Sequence, residues 1–399
     1  MAGKKKKIGI IDADLIGRER HRFPNLVCMK LAGYWREKGA EVSLLTDYSH
    51  NKDYDKIFVC KVFTDTVIPT HMKRLFTRWK NGTQKKVEFG GTGFYFDKAP
   101  ALPDEIEHHM PYYDLYLPWI EGEVKAAESE AALAGKEFNK TKFLKQFKEY
   151  TDYSIGFTTR GCFRKCPFCV NQKYDKVFLH SPLEEFVDSN RKKICLLDDN
   201  VLGSPHWRDI LTKLRASGKP FKFKQGLDER LLTDEKCELL FSSKYDSDFT
   251  FAFDNIEDYD LIHEKLKMIR RHTDRLMMFY VLVGFKSTDE HDIENAFRRI
   301  ELLFNYRCIP YLMRYMNKND VPYKRSKWRS LYISMARWSN QPSLCKKMTF
   351  REFCEANQAY HRGKGICVAK RAMDEFEKEF PEIAARYFNI RFGDRTLED

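Results

Sequence analysis

Three cysteines lie close together in this 399-residue sequence: Cys162, Cys166 and Cys169, spaced C-x3-C-x2-C in the stretch TTRGCFRKCPFC. Thiolates are the usual ligands of iron–sulfur clusters, and a short loop lets three of them meet on one cluster. Three ligands leave one iron of a 4Fe–4S cluster open for an exchangeable molecule. A structural zinc ion would need four ligands, and the nearest imidazole in the sequence is that of His180. The spacing therefore favours an iron–sulfur site, with zinc as the alternative.

The other eight cysteines are scattered along the chain. A total of eleven is odd, and the opening MAGKKKKIGIID has basic residues but no long apolar region, so we expect neither a signal peptide nor a disulfide framework. Isolated cysteines usually behave as small buried apolar residues. We expect this of Cys28, Cys60, Cys195, Cys237, Cys308, Cys345, Cys354 and Cys367.

The composition excludes a disordered chain, because 43% of the residues are hydrophobic and 14% aromatic. No apolar run approaches the roughly 20 residues of a membrane span, so we expect a cytoplasmic protein with no membrane partner. The formal net charge is +12. A surplus of that size suggests an anionic partner if it is concentrated in one place.

The elements that position the cysteines begin with an α/β region. Strands are predicted at Lys7–Ile11, Glu41–Leu45, Lys56–Val62 and Lys86–Phe89, and a helix at Pro24–Lys38 with Gly39 after its end. Strands that alternate with helices indicate a parallel sheet. Residues 1–120 are therefore expected to form a Rossmann-like, doubly wound domain, and the Ala-, Glu- and Lys-rich residues 121–150 a helical linker.

A second series of strands follows the linker. It comprises Tyr153–Thr158, Lys193–Leu197, Phe221–Lys224, Phe249–Phe253, Met277–Val283 and Ile309–Met313. Helical patterns separate most of them, at Asp209–Ala216, Asp234–Phe241, Asp258–His272 and Asp289–Asn305. Six βα units predict a partial (β/α)6 TIM-type barrel over residues 151–316, whose chemistry would lie at the C-terminal ends of the strands. Residues 317–399 are expected to be helical.

The cysteine spacing, with an aromatic residue before the last cysteine, resembles the signature of the radical S-adenosylmethionine superfamily. In that family the motif lies between the first strand and the first helix of a βα barrel. The resemblance covers residues 152–316. It implies that Cys162, Cys166 and Cys169 each bind one iron of a 4Fe–4S cluster, and that S-adenosylmethionine chelates the open iron. Reduction would then release methionine and a 5′-deoxyadenosyl radical that abstracts hydrogen from a substrate.

The same resemblance implies further cofactor contacts. Phe168 would lie near the adenine. Asp198, Asp199 and Asn200, at the end of the second strand, would receive the methionine ammonium, although a role as helix caps is an equal alternative. Positions at the ends of later strands would contact the ribose, the carboxylate or the substrate: Gln225, Asp228, Arg230, Asp254, Asn255 and Gly284. An electron donor such as flavodoxin or ferredoxin is also implied.

The first domain resembles the cobalamin-binding domain of one radical subfamily, through its strand pattern and through Phe89-Gly90-Gly91-Thr92. The D-x-H-x-x-G loop of corrinoid proteins is absent. Its nearest counterpart is the segment 12–17, in which Asp14 replaces the cobalt-binding histidine. Cobalamin, if bound, would therefore lie over Asp12–Gly17 and Gly90–Gly93 without a histidine ligand.

The positive charge is concentrated between Val321 and Arg371, where twelve basic residues face two acidic ones. The basic residues are Lys324, Arg325, Lys327, Arg329, Arg337, Lys346, Lys347, Arg351, Arg362, Lys364, Lys370 and Arg371. Aromatic residues alternate with them: Tyr323, Trp328, Tyr332, Trp338, Phe350, Phe353 and Tyr360. Cations with aromatic faces are typical of single-stranded nucleic-acid binding, so RNA or a nucleotide is a candidate substrate, and a helical cap with buried rings is the alternative.

Two other classes of function fit the same sequence. One is a non-enzymatic iron–sulfur protein that transfers electrons or acts as a sensor. The other is a zinc-stabilised nucleic-acid-binding protein. Cleavage of S-adenosylmethionine by the reduced protein distinguishes the enzyme from the first, and metal analysis distinguishes it from the second.

Overall fold

The computed structural model describes residues 5–19, 21–49, 52–316 and 321–393. The chain forms two compact units. The first comprises the residues up to Asp199 together with Lys219–Lys222, and the second comprises Asn200–Gly218 and the residues from Phe223 onward. The predicted boundaries at 317 and 399 lie outside the described residues.

The first unit opens with a four-stranded parallel sheet in the order β2-β1-β3-β4. Its strands are β1 (Lys7–Asp12), β2 (Glu41–Leu45), β3 (Lys56–Cys60) and β4 (Val87–Gly90). Its described residues also form eight α-helices: α1 (Ala13–Gly17), α2 (Leu26–Glu37), α3 (Thr70–Lys80), α4 (Thr92–Tyr95), α5 (Asp104–Glu107), α6 (Leu117–Leu133), α7 (Lys140–Leu144) and α8 (Lys148–Thr151). The strand predictions are confirmed within two residues.

Apolar side chains cover both faces of this sheet. Ile8, Ile10 and Phe58 pack with α2 in one core cluster, whereas Ile11 and Val59 pack with α3 in another. Because successive strand residues point to opposite faces, continuous apolar runs such as those of β1 and β3 are typical of a sheet covered on both sides. The α/β class expected from the sequence is confirmed.

The stretch 121–150 is helical only in part, because α6 ends at Leu133 and α7 begins at Lys140. Its buried residues Phe147 and Tyr150 belong to the same core cluster as Ile8. The expected linker therefore packs as part of the first unit.

The second strand series forms two three-stranded sheets, in the orders β5-β8-β9 and β10-β11-β12. Their strands are β5 (Tyr153–Gly156), β8 (Lys193–Leu196), β9 (Phe221–Phe223), β10 (Phe249–Ala252), β11 (Met277–Val283) and β12 (Cys308–Arg314). The short strands β6 (Thr159–Arg160) and β7 (Phe178–Leu179) form a separate two-stranded sheet. β5 and β8 pair in parallel, as do the strands of the later sheet. All six predicted strands exist, and closure into one barrel stays a prediction.

In the second unit, the residues that the structure describes form ten α-helices, α9 to α18. In chain order they are Trp207–Ala216, Asp234–Phe241, Tyr259–His272, Glu290–Asn305, Pro322–Arg325, Arg329–Ser339, Pro342–Cys345, Phe350–Ala359, Val368–Glu379 and Pro381–Tyr387. The C-terminal region is helical as expected within the described residues. Over the described part of the chain, no helix combines the length and apolar composition needed to cross a bilayer.

One expectation about the first βα unit is wrong. The residues between β5 and β8 contain the short strands β6 and β7 and a 3-10 turn at Leu183–Glu185, but no α-helix. Pro167 and Pro182 interrupt this stretch, and proline in a helix interior removes a hydrogen bond. The cysteines therefore lie in a loop between two short strands rather than between a strand and a helix.

The glycine pair at the end of β4 has a packing role. Gly91 has φ +102°, and a Cβ there would lie 2.2 Å from the carbonyl oxygen of Lys61. A side chain at Gly90 would meet no atom within 4 Å. The chain therefore needs glycine at the second position but not at the first.

We predict that Gly91→Ala lowers the free energy of unfolding by about 2 kcal/mol or more, because it combines backbone strain with a clash against the carbonyl of Lys61, just after β3. Gly90→Ala is the matched control and should change it by less than about 1 kcal/mol. Denaturant unfolding measures both. Equal effects of the two substitutions would contradict this account of the turn.

Candidate functional site

The three cysteines lie in a loop whose ends are held together by β6 and β7. These strands pair antiparallel, Thr159 opposite Leu179 and Arg160 opposite Phe178. The loop turns at Gly161, which has φ +86° and lies so close to Lys176 that a Cβ would approach its carbonyl oxygen to 2.4 Å. Glycine at this position therefore allows the two ends of the cysteine loop to come together.

The carboxylate of Asp198 fixes the chain that enters the loop. It accepts hydrogen bonds from the backbone N–H and the hydroxyl of Thr158 (3.1 and 2.5 Å) and from those of Thr159 (2.6 and 2.7 Å). Asp198 is 3% exposed, and burial raises its pKa. A carboxylate with four such donors is fully engaged, so in this structure Asp198 positions the loop instead of offering its oxygens to an ammonium group.

The neighbouring Asp199 binds both sides of the loop. One oxygen accepts from the backbone N–H of Gly161 at 2.8 Å, and the other accepts from the side-chain amide of Asn171 at 2.7 Å. The guanidinium of Arg160 lies 3.9 Å away. Asp199 therefore links the residue before Cys162 to a residue just after Cys169.

The sulfur atoms receive hydrogen bonds from their own loop. Cys162 Sγ accepts from the backbone N–H of Arg164, and Cys169 Sγ accepts from that of Asn171, each at 3.4 Å. Hydrogen bonds to sulfur are among the interactions that tune iron–sulfur clusters. All three cysteines are half-buried, as is Phe168, and none is in a disulfide.

The arrangement bears on which metal group the loop fits. Among the described residues, no three His, Cys, Asp or Glu side chains are placed to hold one metal ion. His180 is engaged elsewhere: its ring stacks on that of His108, and its nitrogens lie 3.0 Å from Ser181 Oγ and 3.4 Å from Glu107. A 4Fe–4S cluster places a different iron at each thiolate, so it does not require the three sulfurs to meet at one atom.

The predicted residues of the second unit form their own polar cluster. The guanidinium of Arg230 donates to Asp228 at 2.7 Å and to Asp258 at 3.0 Å, and the side-chain amide of Asn200 donates to Asp228 at 3.4 Å. Arg230 is thus neutralised by two carboxylates, which weakens the expectation that it binds the carboxylate of a cofactor. Asp258, which lies in a 3-10 turn after β10, is a residue that sequence reasoning missed.

Glu229 is a second residue that sequence reasoning missed. It is 1% exposed, its Oε2 accepts from the backbone N–H of Ala252 at 3.2 Å, and its Oε1 has no hydrogen-bond partner among the described residues. Burial, helped by the charge of Asp228, raises its pKa to about 8. The signal that could have identified it is its position in the sequence, between the predicted site residues Asp228 and Arg230.

The remaining predicted positions differ in their surroundings. Gln225 is exposed. Gly284 donates its N–H to Asp292 at 2.8 Å, and Asp254 accepts from the N–H of Leu282 at 3.2 Å. Asn255 precedes the 3-10 turn Ile256–Asp258. Gly284, Asp254 and Asn255 therefore lie near the ends of strands in the second unit. Their role in cofactor binding stays a prediction.

At the carboxyl edge of the first sheet, Asp12 and Asp14 are both buried. Asp12 caps α1 and accepts from the hydroxyl of Tyr116 at 2.7 Å. Asp14 accepts from the N–H of Val62 at 2.6 Å and from the hydroxyl of Thr66 at 2.5 Å. The carboxylate that replaces the corrinoid histidine is therefore engaged with its own domain.

The aromatic residues of the basic segment are mostly buried. Tyr323, Trp328, Tyr332, Trp338, Phe350 and Phe353 are all at most 6% exposed, whereas Tyr360 is 85% exposed. Several cations are paired, such as Arg351 with Glu377 at 2.6 Å and Lys370 with Asp374 at 2.5 Å. The expectation that this segment offers a series of stacking rings is wrong, because the rings pack inside the second unit. Phe350 contacts Phe297 of α12, and Trp328 contacts Phe376 of α17. The RNA hypothesis stays a prediction that rests on charge.

The eight scattered cysteines are all buried, as expected.

The comparisons with known proteins are sparse. No family model matches this chain, and no curated protein matches it. A similar solved structure is the cobalamin-dependent S-adenosylmethionine radical enzyme OxsB with aqua-cobalamin and S-adenosylmethionine bound, at a TM-score of 0.35 and 11% identity. The match covers 98% of this chain and 65% of that chain. A likeness this distant supports no inference about function.

We predict that Asp198→Ala loosens the cysteine loop, because four donors lose their acceptor. The free energy of unfolding should fall by about 3 kcal/mol, and iodoacetamide should alkylate Cys162, Cys166 and Cys169 faster, as followed by mass spectrometry. Asp198→Asn keeps one acceptor oxygen and should have a smaller effect. Exposed Glu128 provides the control Glu128→Ala, and alkylation at the wild-type rate in Asp198→Ala would contradict this role.

A second prediction concerns pH. Burial raises the pKa of Asp12 from its ordinary 3.8 to about 7. The folded state therefore binds a proton that the unfolded state releases between these values, so the contribution of Asp12 to stability falls as the pH rises from about 4 to about 7. Asp12→Asn should remove a change on the order of a few kcal/mol over that range. Urea unfolding of both proteins at several pH values measures it, and parallel curves would contradict it.

Proposed function

We propose that this chain is a radical S-adenosylmethionine enzyme whose 4Fe–4S cluster is held by Cys162, Cys166 and Cys169. The observation that carries the proposal is the closed loop between β6 and β7, which holds three half-buried thiols. Asp198 and Asp199 fix the start of this loop by accepting hydrogen bonds from the backbone of Thr159 and Gly161. Preorganised ligands on a loop supported by hydrogen bonds are what a functional metal group requires.

The donor set fits the cluster. Three thiolates from one short loop leave one iron without a protein ligand, and two of the sulfurs already accept backbone N–H bonds. When bound and reduced, such a cluster supplies the electron that cleaves S-adenosylmethionine and produces the radical. Flavodoxin or ferredoxin would deliver that electron.

The protein's own residues have positioning roles in this proposal. Asp198 fixes Thr158 and Thr159, so the chain enters the loop in one conformation. Asp199 joins Gly161 to Asn171 and so limits how far the two ends of the loop can separate. Phe168, half-buried beside Cys169, would form part of the adenine site.

Cobalamin draws no support from the residues that the resemblance suggested. The carboxylate of Asp14 accepts hydrogen bonds from Val62 and Thr66, two residues of the same domain. Gly91 and Gly93 are required because their Cα atoms pack beside the carbonyl of Lys61, where a Cβ would lie 2.2 and 2.9 Å from its oxygen. Gly91 and Gly93 therefore form no open cradle for a corrin ring, and Gly90, where a Cβ would meet no atom within 4 Å, is the one open position of the segment; we assign no step to cobalamin.

The proposal predicts that Cys162→Ala, Cys166→Ala and Cys169→Ala each lower bound iron at least about fivefold after anaerobic reconstitution, because each removes one of three thiolates. Formation of 5′-deoxyadenosine in the presence of dithionite and S-adenosylmethionine, followed by mass spectrometry, should disappear in all three.

Cys367→Ser is the matched control. Cys367 caps α17 by accepting from the N–H of Lys370, and serine is a preferred residue at that position. This variant should retain both iron and product. A triple alanine variant of the loop that still held iron and cleaved the cofactor would refute the assignment. Iron without any cleavage in the wild type would favour an electron-transfer protein, and zinc would favour the nucleic-acid-binding alternative.

A further inference from the structure

The helix α3 and the turn that follows it carry charges of one sign. Residues 66–87 contain no Asp or Glu. The flanking acidic residues, Asp65 and Glu88, are paired with Arg18 and Lys56. The basic residues of this stretch, which we call the α3 basic surface, are all exposed: Lys73, Arg74, Arg78, Lys80, Lys85 and Lys86. None of the six forms an ion pair with a carboxylate that the structure describes.

The helical repeat places four of these cations on one exposed face. Residues four or seven positions apart lie on the same side of a helix, so Arg74 and Arg78 form one row and Lys73 and Lys80 form another. At a rise of about 1.5 Å per residue, the four charges extend over about 10 Å of the helix axis. They therefore form one continuous basic face rather than isolated charges.

The turn after α3 adds two further cations. The backbone N–H and the hydroxyl of Thr83 both donate to the carbonyl of Arg78, at 2.9 and 3.1 Å. These bonds fold the turn back onto the end of the helix. Lys85 and Lys86 follow directly in the sequence, so they extend the basic face beyond the C-terminal end of α3.

The opposite face of α3 is occupied by the sheet. Met72 is 0% exposed, and the ring of Phe76 packs on those of Phe89 and Phe94 at centroid distances of 5.4 and 4.9 Å. Within α3, no large apolar side chain is exposed. A helix that lies on a bilayer inserts its apolar face. Because α3 has already buried that face, it offers a partner only charge and hydrogen-bond donors.

The single sign of this face distinguishes it from an ordinary solvated helix face, which mixes charges of both signs. On α11, for example, Glu264 pairs with Lys267 at 2.9 Å. On α3, Arg74 and Arg78 are like charges four positions apart, an arrangement that destabilises a helix. An external polyanion would neutralise charges that the described residues leave unpaired.

We infer that the α3 basic surface binds the phosphate backbone of a nucleic acid without reading its sequence. Cations that neutralise successive phosphates release counterions, and this release is the source of most such affinity. The rings of the helix, Phe76 and Trp79, are half-buried, so the contacts would go to phosphates rather than to stacked bases. The surface belongs to the first unit, whereas the basic segment 321–371 belongs to the second. The inference does not rest on the proposed function.

The probes are fluorescein-labelled strands of about 20 nucleotides of mixed sequence, as RNA, as single-stranded DNA and as a DNA duplex. Fluorescence anisotropy with the full chain in about 50 mM salt should show saturable binding below about 10 μM for at least one of them. The logarithm of the affinity should fall with the logarithm of the salt concentration with a slope of roughly −3 to −5, because about four to six phosphates are contacted. The probe that binds most tightly identifies the source of the phosphates.

The test variant replaces the four cations of the helix together: Lys73→Ala, Arg74→Ala, Arg78→Ala and Lys80→Ala. It should bind at least about tenfold more weakly, and its salt slope should be smaller by about 3. Alanine is the best helix former, so the helix should be retained, as circular dichroism checks. A charge-matched control replaces four exposed lysines of the same unit by alanine and should change the affinity less than about threefold: Lys125, Lys136, Lys140 and Lys145.

A footprint locates the contact independently of the variants. N-hydroxysuccinimidyl acetate should acetylate Lys73 and Lys80 more slowly when the tightest probe is bound, as followed by mass spectrometry. Exposed Lys125 should react at an unchanged rate.

Absence of saturable binding by the wild type, equal affinities of the test variant and the charge-matched control, or unchanged acetylation of Lys73 and Lys80 would overturn the inference. So would binding that is lost only when cations of the segment 321–371 are replaced, since the contact would then belong to the second unit. Binding to phosphatidylserine vesicles, with none to the three probes, would assign the surface to a membrane instead.

Discussion

The structure around the cysteines depends on the two carboxylates that follow β8. Because β5 and β8 run parallel and side by side, their carboxyl ends meet, and Asp198 lies within hydrogen-bond distance of the residues that follow β5. Asp199 extends the same connection to both ends of the loop. These bonds act together with the β6–β7 pairing and with hydrogen bonds inside the loop, such as those that the Gln172 side chain donates to the carbonyls of Cys166 and Pro167.

This arrangement has a cost and a compensation. Burial raises the pKa of Asp198, which means that its charged form is disfavoured by desolvation. Four donors from Thr158 and Thr159 offset part of that penalty, and hydrogen bonds to a charged group are the stronger kind. The result is a rigid entry to a loop whose thiols stay half-buried. A loop with fixed ends and reachable sulfurs is suited to holding a cluster that also exchanges a ligand.

The sequence predicted what depends on local pattern and missed what depends on tertiary contact. The strand Met277–Val283 and the helix Asp234–Phe241 have the predicted bounds, because their apolar periodicity is local. The bonds from Asp198 to Thr158 join residues 40 positions apart, and they follow from strand pairing that spacing does not reveal. The same limit explains why Trp338 was expected as a stacking surface, although it packs between Phe297 and Phe350.

The central claim is that three thiolates hold a 4Fe–4S cluster with one iron open to S-adenosylmethionine. Electron paramagnetic resonance of the reconstituted, dithionite-reduced protein tests it most directly. The account predicts the signal of a reduced 4Fe–4S cluster, whose shape changes when S-adenosylmethionine is added because the cofactor binds the open iron. A signal that is identical with and without S-adenosylmethionine, or no cluster signal at all, would contradict it.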